Sequence, residues 1–163
     1  MKHFLFRYYY WIALFLILLV ISVKCCGILD FDWKLAVTIL GGILWSVYLV
    51  QKQKLDEIHL FKELFTKFNA RYSDLNEALN QILQGDDEQE LTTKEIDKLY
   101  DYFNLCGEEY FFYEQGYIPS KVWKAWSNGI KIFLQNKRIR KVWKNEVRTD
   151  SYYGLSLKEF EKD

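Results

Sequence analysis

The pattern of apolar and polar positions divides the chain into an apolar beginning and a longer part in which apolar and polar residues alternate. The beginning consists of two uncharged runs, YYYWIALFLILLVISV over residues 8–23 and LAVTILGGILWSVYLV over residues 35–50. With the apolar residues before it, the first run reaches about 20 residues, enough to cross the ~30 Å hydrocarbon layer of a bilayer. The second run is shorter, but aromatic and polar residues at its ends can lie in the interfaces. The pattern predicts two membrane spans, at about 5–23 and 34–51.

The segment between the two runs, KCCGILDFDWK, is also compared with the end of a secretory signal. A cleavable signal carries small residues at the first and third positions before the cut, and Val23, Lys24 and Cys25 match this poorly. The residues before the cysteines do not form a lipoprotein box. The second run is apolar all round, which is not the pattern of a buried helix in a soluble protein. A transmembrane hairpin is therefore favoured over a signal peptide.

Lysine and arginine in the short flanks of the spans indicate the orientation. Lys2 and Arg7 precede the core of the first span, and Lys52 and Lys54 follow the second. The loop has a lysine at each edge, but its core carries only acidic charges. Both termini are therefore predicted to lie in the cytoplasm, with the loop on the outer side.

After residue 50 the apolar positions recur every three or four residues, which is the period of an amphipathic helix. The first stripe of this kind consists of Ile58, Phe61, Phe65, Phe68, Tyr72, Leu75, Leu79 and Ile82. The flanking positions, Leu64 among them, lack alternating charge, so packing inside a bundle is favoured over a coiled coil. The helix can continue directly from the second span. It is predicted to end at the acidic segment QGDDEQE, residues 84–90.

Local signals mark the helices that follow. Thr92 and Glu95 form a capping box that starts the next helix. Gly116 is placed to end that helix in the left-handed conformation. Ser120, after the single proline, is predicted to cap a further helix, and the apolar stripe of this helix loses phase near Asn136, where a kink or break is expected. The apolar stripe of the helix after Thr92 is Ile96, Leu99, Phe103, Cys106, Tyr110 and Tyr113.

These signals together predict an all-α fold in two parts. Residues 1–50 form a transmembrane two-helix hairpin, and residues 51–163 form a cytoplasmic bundle of three to four helices. A last helical turn is expected over residues 156–160, SLKEF.

Charge is balanced over the whole chain but separated along it. Residues 86–120 carry ten acids and two lysines, whereas residues 121–148 carry nine basic groups and one acid. The simpler interpretation is that helices of opposite charge pack against one another. The other is that the basic segment contacts anionic lipid or nucleic acid, where each basic group near an anionic leaflet contributes about 1 kcal/mol. The basic run consists of Lys137, Arg138, Arg140, Lys141, Lys144 and Arg148.

The three cysteines fall in two different settings. Cys25 and Cys26 are adjacent, and on the outer side of a membrane they would more readily join two chains than each other. Their other interpretation is as small apolar residues at a helix end. Cys106 falls in a core stripe, where a thiol behaves as a small hydrophobe.

No pattern for catalysis or metal binding emerges from the remaining polar residues. Neither histidine, His3 or His59, has a motif-like spacing to Cys106. Glu108 and Glu109 are neighbours on a helix and point about 100° apart, so they do not form an acid–base pair. No enzyme activity, cofactor, metal or small-molecule substrate is predicted.

Inside the second span, small residues recur every four positions. Thr38, Gly42 and Ser46 line one face, named here the small-residue stripe. In lipid, such a face lets helix backbones approach closely and favours association. It can pack against the first span of the same chain, or it can form the contact of a homo-oligomer.

One stretch resembles a known pattern. YFNLCGEEYFFYEQGYIPSKVWKAW, residues 102–126, resembles a pattern in small bacterial membrane proteins of a domain-of-unknown-function group, which place one or two spans before a helical cytoplasmic domain. The residues that match the pattern are Asn104, Glu108 or Glu109, Gly116, Ile118, Val122 and Trp126. Some of these proteins are similar to the two-span effectors that accompany reverse transcriptases in retrons and other abortive-infection systems. The resemblance implies a membrane-acting toxin held in check by a cytoplasmic protein or ribonucleoprotein.

The resemblance, the short spans and the small-residue stripe lead to one functional expectation. The chain is expected to be an effector of a bacterial anti-phage system that perturbs the inner membrane when it is released or oligomerised. The alternative is a non-toxic membrane adaptor whose helical domain recruits a protein or nucleic acid through the basic run.

Overall fold

The computed structural model describes residues 2–27, 32–86, 89–147, 151–156 and 159–160. Within these residues the regular structure is helical and no strand occurs, which confirms the all-α prediction. The helices are α1 (Lys2–Cys25), α2 (Trp33–Gln84), α3 (Thr93–Glu114), α4 (Ser120–Gln135) and α5 (Lys137–Glu146).

The chain divides into two compact units, Met1–His59 and Leu60–Asp163. The division falls within α2, because that helix continues from the second apolar run into the amphipathic region, as its sequence pattern allowed. The predicted division after residue 50 follows the end of the apolar run instead.

In the first unit, α1 and the beginning of α2 run antiparallel. At one end, Gln51 Nε2 donates a hydrogen bond to Tyr10 Oη at 2.6 Å. At the other end, Lys24 Nζ lies 5.5 Å from the centre of the Trp33 ring. Among the described residues, two helices are long and apolar enough to cross a membrane: the most apolar 18-residue stretch has a mean hydropathy of 1.9 in α1 and 1.6 in α2.

In the second unit, α3 is the central helix, and its aromatic side chains contact every neighbouring element. Tyr102 packs against Phe133 of α4, with ring centres 5.3 Å apart. Phe103 meets Trp143 of α5 edge-on at 4.6 Å. Because α2, α4 and α5 all contact α3, its buried surface is wider than the predicted stripe and also includes Tyr102, Leu105 and Glu109.

Some details of the predicted pattern are wrong. Leu64, taken as a flanking position, is buried, whereas Ile58 and Phe65 of the predicted stripe are 62% and 41% exposed. Phe65 stacks on Trp126, with ring centres 5.9 Å apart. Ser120 does not cap α4, because the carbonyl of Pro119 already accepts from the backbone N–H of Trp123. The helix therefore begins at Ser120, with Pro119 in the capping position.

The other local predictions are confirmed. The Glu95 N–H donates to Thr92 Oγ1 at 3.3 Å, and the Thr92 N–H donates to Glu95 Oε2 at 2.7 Å, which completes the capping box. Gly116 has a φ of 79° and ends α3. Asn136 separates α4 from α5, and its side-chain oxygen accepts from two backbone N–H groups of α5.

The predicted acidic loop after α2 and the predicted last helical turn lie only partly within the described residues. α2 ends at Gln84, at the start of the predicted acidic loop, but residues 87 and 88 are not among those described. Residues 159–160 are helical, whereas residues 157 and 158 of the predicted last turn are not described.

Candidate functional site

The residues that carry the sequence resemblance are brought together only in part. Asn104 is exposed on α3, and Gly116 ends that helix at an exposed position. Glu109 of α3 and Trp126 of α4 line one cavity. Glu108 points to α2 instead, as the 100° between neighbouring helix positions requires.

Glu108 forms an ion pair with Arg71 of α2. The two guanidinium nitrogens donate to the two carboxylate oxygens at 2.5 and 3.1 Å, a bidentate arrangement. The hydrogen bond to Glu108 is the main reason that the pKa of Arg71 is raised. About a third of each side chain is exposed, so screening by water limits the pair to about 0.5–1 kcal/mol of stability. The pair joins α2 to α3, and Glu108 takes up the guanidinium whose charge also acts on Glu109.

The acid cavity is the space between α2, α3 and α4 that is lined by Glu109, and its volume is about 230 Å³. Glu109 is 6% exposed and has no hydrogen-bond partner within the described part of the chain. Most of the wall is aromatic or small. The other lining residues are Asn69, Tyr72, Tyr102, Ala125, Trp126, Gly129 and Ile130.

Burial controls the protonation of the groups beside this cavity. It raises the pKa of Glu109 to about 8; Arg71 opposes this shift and Glu108 adds to it. Burial also raises the pKa of Tyr102 and of the Cys106 thiol well above their ordinary values. At neutral pH, Glu109 therefore holds a proton and the Cys106 thiol is neutral, which makes the thiol a poor nucleophile.

Sequence reasoning placed Glu109 in a motif but missed that it is buried. A signal was present, because the side chains three and four positions away on the same helix face are all apolar. They are Leu105, Cys106, Phe112 and Tyr113. Glu108 differs at these spacings by one polar neighbour, Asn104; its other three, Leu105, Phe111 and Phe112, are apolar.

The basic run does not present a single surface. Arg138 is directed inward, where its guanidinium donates to the carbonyls of Ile82 at 2.5 Å and Gln89 at 3.3 Å. Gly85 makes room for it, since a Cβ there would lie 2.7 Å from Arg138 Nη2. Arg148 lies outside the described residues. The members exposed on α5 are Lys137, Arg140, Lys141 and Lys144.

The helices of opposite charge do pack against one another, as the simpler interpretation of the charge pattern had it. The contacts of α3 with α4 and α5 run through aromatic rings, such as Tyr110 with Trp123 at 5.4 Å. Packing of these helices therefore rests on apolar burial, and the basic side chains of α5 other than Arg138 remain at the surface.

The small-residue stripe is exposed in the first unit. The hydroxyls of Thr38 and Ser46 donate to the carbonyls four residues earlier, both at 2.9 Å. A Cβ added to Gly42 would meet nothing within 4 Å among the described residues. Ala36, which is buried, lies two residues from Thr38 and therefore on nearly the opposite side of the helix. The stripe thus faces away from the side of α2 that packs in this unit.

The cysteines keep their separate settings. Cys25 and Cys26 are exposed free thiols, whereas Cys106 is buried in the core of the second unit. Among the residues that the structure describes, no group of three or more His, Cys, Asp or Glu side chains is arranged to hold a metal ion.

Comparison with protein-family models, curated proteins and solved structures finds no match for this chain. The resemblance of residues 102–126 therefore stays a prediction. Function has to be inferred from the surfaces and the acid cavity of the molecule.

Proposed function

We propose that the chain is a multi-pass protein of the bacterial inner membrane. The apolar parts of α1 and α2 form the spans, and both termini and the second unit lie in the cytoplasm. The observation that supports this most directly is the exposure of large apolar side chains in the first unit: Trp11 is 68% and Trp45 62% exposed. A soluble monomer rarely exposes a continuous apolar surface of this kind, whereas hydrocarbon solvates it at no cost.

Polar contacts at the ends of the helix pair fit the same placement. Lys54 Nζ lies 4.9 Å from the centre of the Tyr9 ring, near the Tyr10–Gln51 hydrogen bond. Tyrosine, tryptophan and lysine are the residues that gather at membrane interfaces. The proposed inner interface contains Tyr9 and Lys54, and the outer one contains Lys24 and Trp33.

The proposed activity is perturbation of the inner membrane by an oligomer of these spans, in an anti-phage system of the abortive-infection or retron type. The small-residue stripe supports an oligomer, because it is exposed and faces away from the packed side of α2. A second copy can approach closely along such a stripe. Control by a cytoplasmic protein or ribonucleoprotein belongs to the same proposal and rests on the sequence resemblance.

The activity is tested by expressing the chain alone and following membrane potential and growth. We expect depolarisation with the natural sequence and its loss with Gly42→Ile plus Ser46→Leu, together with loss of cross-linked oligomers. Gly41→Ile is the matched control, because Gly41 is equally unobstructed but lies about 100° around the helix from the stripe. Normal potential and growth at high expression of the natural sequence would contradict the effector role.

A second function is favoured by the exposed lysines of α5. A non-toxic adaptor would use Lys137, Lys141 and Lys144 to recruit an anionic partner to the membrane. Changing these three residues to Glu should abolish copurification of the partner. The same charge change at Lys62, Lys67 and Lys94 should not. If the partner still copurifies after the charges of the three α5 lysines are reversed, the adaptor hypothesis in this form is eliminated.

A further inference from the structure

The acid cavity contains an ionisable group without a partner. Glu109 is buried, its carboxyl has no hydrogen-bond partner among the described residues, and it lines a cavity of about 230 Å³. The guanidinium of Arg71, whose charge acts on Glu109, is bound to both oxygens of Glu108. The fully buried polar atoms without a partner among the described residues are Arg138 Nε and Trp143 Nε1, so the Glu109 oxygens are not sealed off and can be reached through the cavity. Its ionised form is disfavoured there because burial removes part of its hydration. Such a group is expected to serve a purpose other than folding.

The walls around Glu109 are suited to a positive charge. Tyr72 and Tyr102 come from two different helices, and their ring centres are 6.3 Å apart with the planes at 50°. The indole of Trp126 lines the cavity from a third helix. Aromatic faces carry negative potential and attract cations, with tryptophan the strongest of the three ring types.

We propose that the acid cavity binds a small organic ammonium ion, whose charge pairs with the Glu109 carboxylate and lies against the rings of Tyr72, Tyr102 and Trp126. Asn69, at the same cavity, donates from Nδ2 to the carbonyl of Phe65 at 2.7 Å, which leaves its Oδ1 to accept a hydrogen bond from a polar group on the ligand. This inference goes beyond the proposed membrane activity and does not depend on it.

Other classes of ligand fit the cavity less well. An anion would face a carboxyl, and the one arginine close by already serves Glu108. A metal ion would find a single carboxylate there, whereas hard cations take six or more oxygen ligands. The volume is below the 300–1,000 Å³ or so that is typical of sites for drug-sized ligands, which restricts the occupant to a molecule smaller than a drug-sized ligand.

The groups that face Glu109 set the pH dependence of binding. Arg71 and Tyr72 face it from α2, and Tyr102, Cys106 and Glu108 from α3. The residues of α4 that line the cavity carry no titratable side chain. Since Glu109 is protonated below about pH 8, a cation that pairs with its carboxylate must displace this proton. Affinity should therefore rise about tenfold per pH unit between pH 6 and 8 and level off above.

The test uses the full chain in a maltoside detergent, so that no choline headgroup is present, and isothermal titration calorimetry. The probes are choline and its neutral isostere, in which a quaternary carbon replaces the nitrogen. We expect choline to bind at least about tenfold more tightly than the isostere. Titration of choline in buffers of different ionisation enthalpy at pH 7 should show release of close to one proton.

Glu109→Gln is the decisive variant, because glutamine has the shape of the protonated acid and should fold. It should weaken choline binding about tenfold or more and abolish proton release. Glu114→Gln, an exposed acid on the same helix, is the control and should change neither. The proposal is overturned by absence of choline binding, by equal binding of the isostere, or by binding without proton release. Proton release is measured on the natural sequence, so it tests the proposal even if Glu109→Gln does not fold.

Discussion

Both units are helical and rich in aromatic side chains, but these side chains meet opposite surroundings. In the first unit Trp11, Trp33 and Trp45 are exposed, whereas in the second unit Trp123 and Trp143 are buried. The helices of the second unit alternate polar and apolar positions and can bury one face against each other. The apolar runs of the first unit have no polar face to present to water. The same residue type therefore stabilises the core in one unit and is exposed on the surface of the helices in the other.

The largest effect is expected from truncating a tryptophan in each unit. Trp143 is 0% exposed and packs against Phe103, Tyr152 and Phe160. Trp143→Ala should lower the free energy of unfolding of the second unit by about 3–5 kcal/mol, measured by denaturant titration in detergent. Trp45→Ala, at an exposed site, should leave it nearly unchanged. Equal losses from both would remove the contrast between the units.

The next effect is a pH dependence that belongs to the second unit alone. The pKa of Glu109 is about 8 in the folded chain against an ordinary 4.5, so between these values the folded state holds a proton that the unfolded state has lost. Stability should therefore fall as pH rises through this window, by up to about 1.4 kcal/mol per pH unit. In Glu109→Gln the contribution of this group to the change of the free energy of unfolding with pH should vanish. A wild-type stability that rises from pH 6 to 8 by the same measurement would contradict the raised pKa.

A smaller effect is expected at the junction of α2 and α5. Arg138→Met removes the donors to the carbonyls of Ile82 and Gln89, and should cost about 1–3 kcal/mol in chemical unfolding. Lys141→Met, on the exposed side of the same helix, should stay within about 0.5 kcal/mol. If the two variants unfold alike, Arg138 does not stabilise this junction.

The smallest effect is local. Thr92→Ala removes one half of the capping box of α3 and should cost about 1 kcal/mol, seen as a lower midpoint of thermal unfolding. Thr93→Ala, at the first helical position, is the neighbouring control. A loss confined to Thr92 would show that the start of the central helix is specified by its cap as well as by packing.

Signals contained within four or five residues were predicted well. The capping box of Thr92 and Glu95, the left-handed Gly116 and the break at Asn136 all rest on contacts between near neighbours in sequence. The proline turn was less simple, since two adjacent residues could each cap α4 and Pro119 takes the position.

Features of the candidate site that depend on distant residues were not predicted. Arg138 and Ile82 are 56 residues apart, so nothing in the basic run indicates that one of its members turns inward. Glu109 becomes the wall of a cavity only because Tyr72 and Trp126 come from two other helices. The burial of Leu64 in place of Phe65 likewise depends on which face of α2 meets the bundle.

The order of residues alone was enough to establish helices, their ends and the two apolar runs, because hydrogen bonds and hydropathy at these places involve close neighbours. The inward arginine, the wide burial of α3 and the aromatic cavity around Glu109 followed from packing of helices that are distant in sequence. Burial and charge pairing depend on which surfaces meet, and that depends on the whole set of apolar contacts in the folded unit.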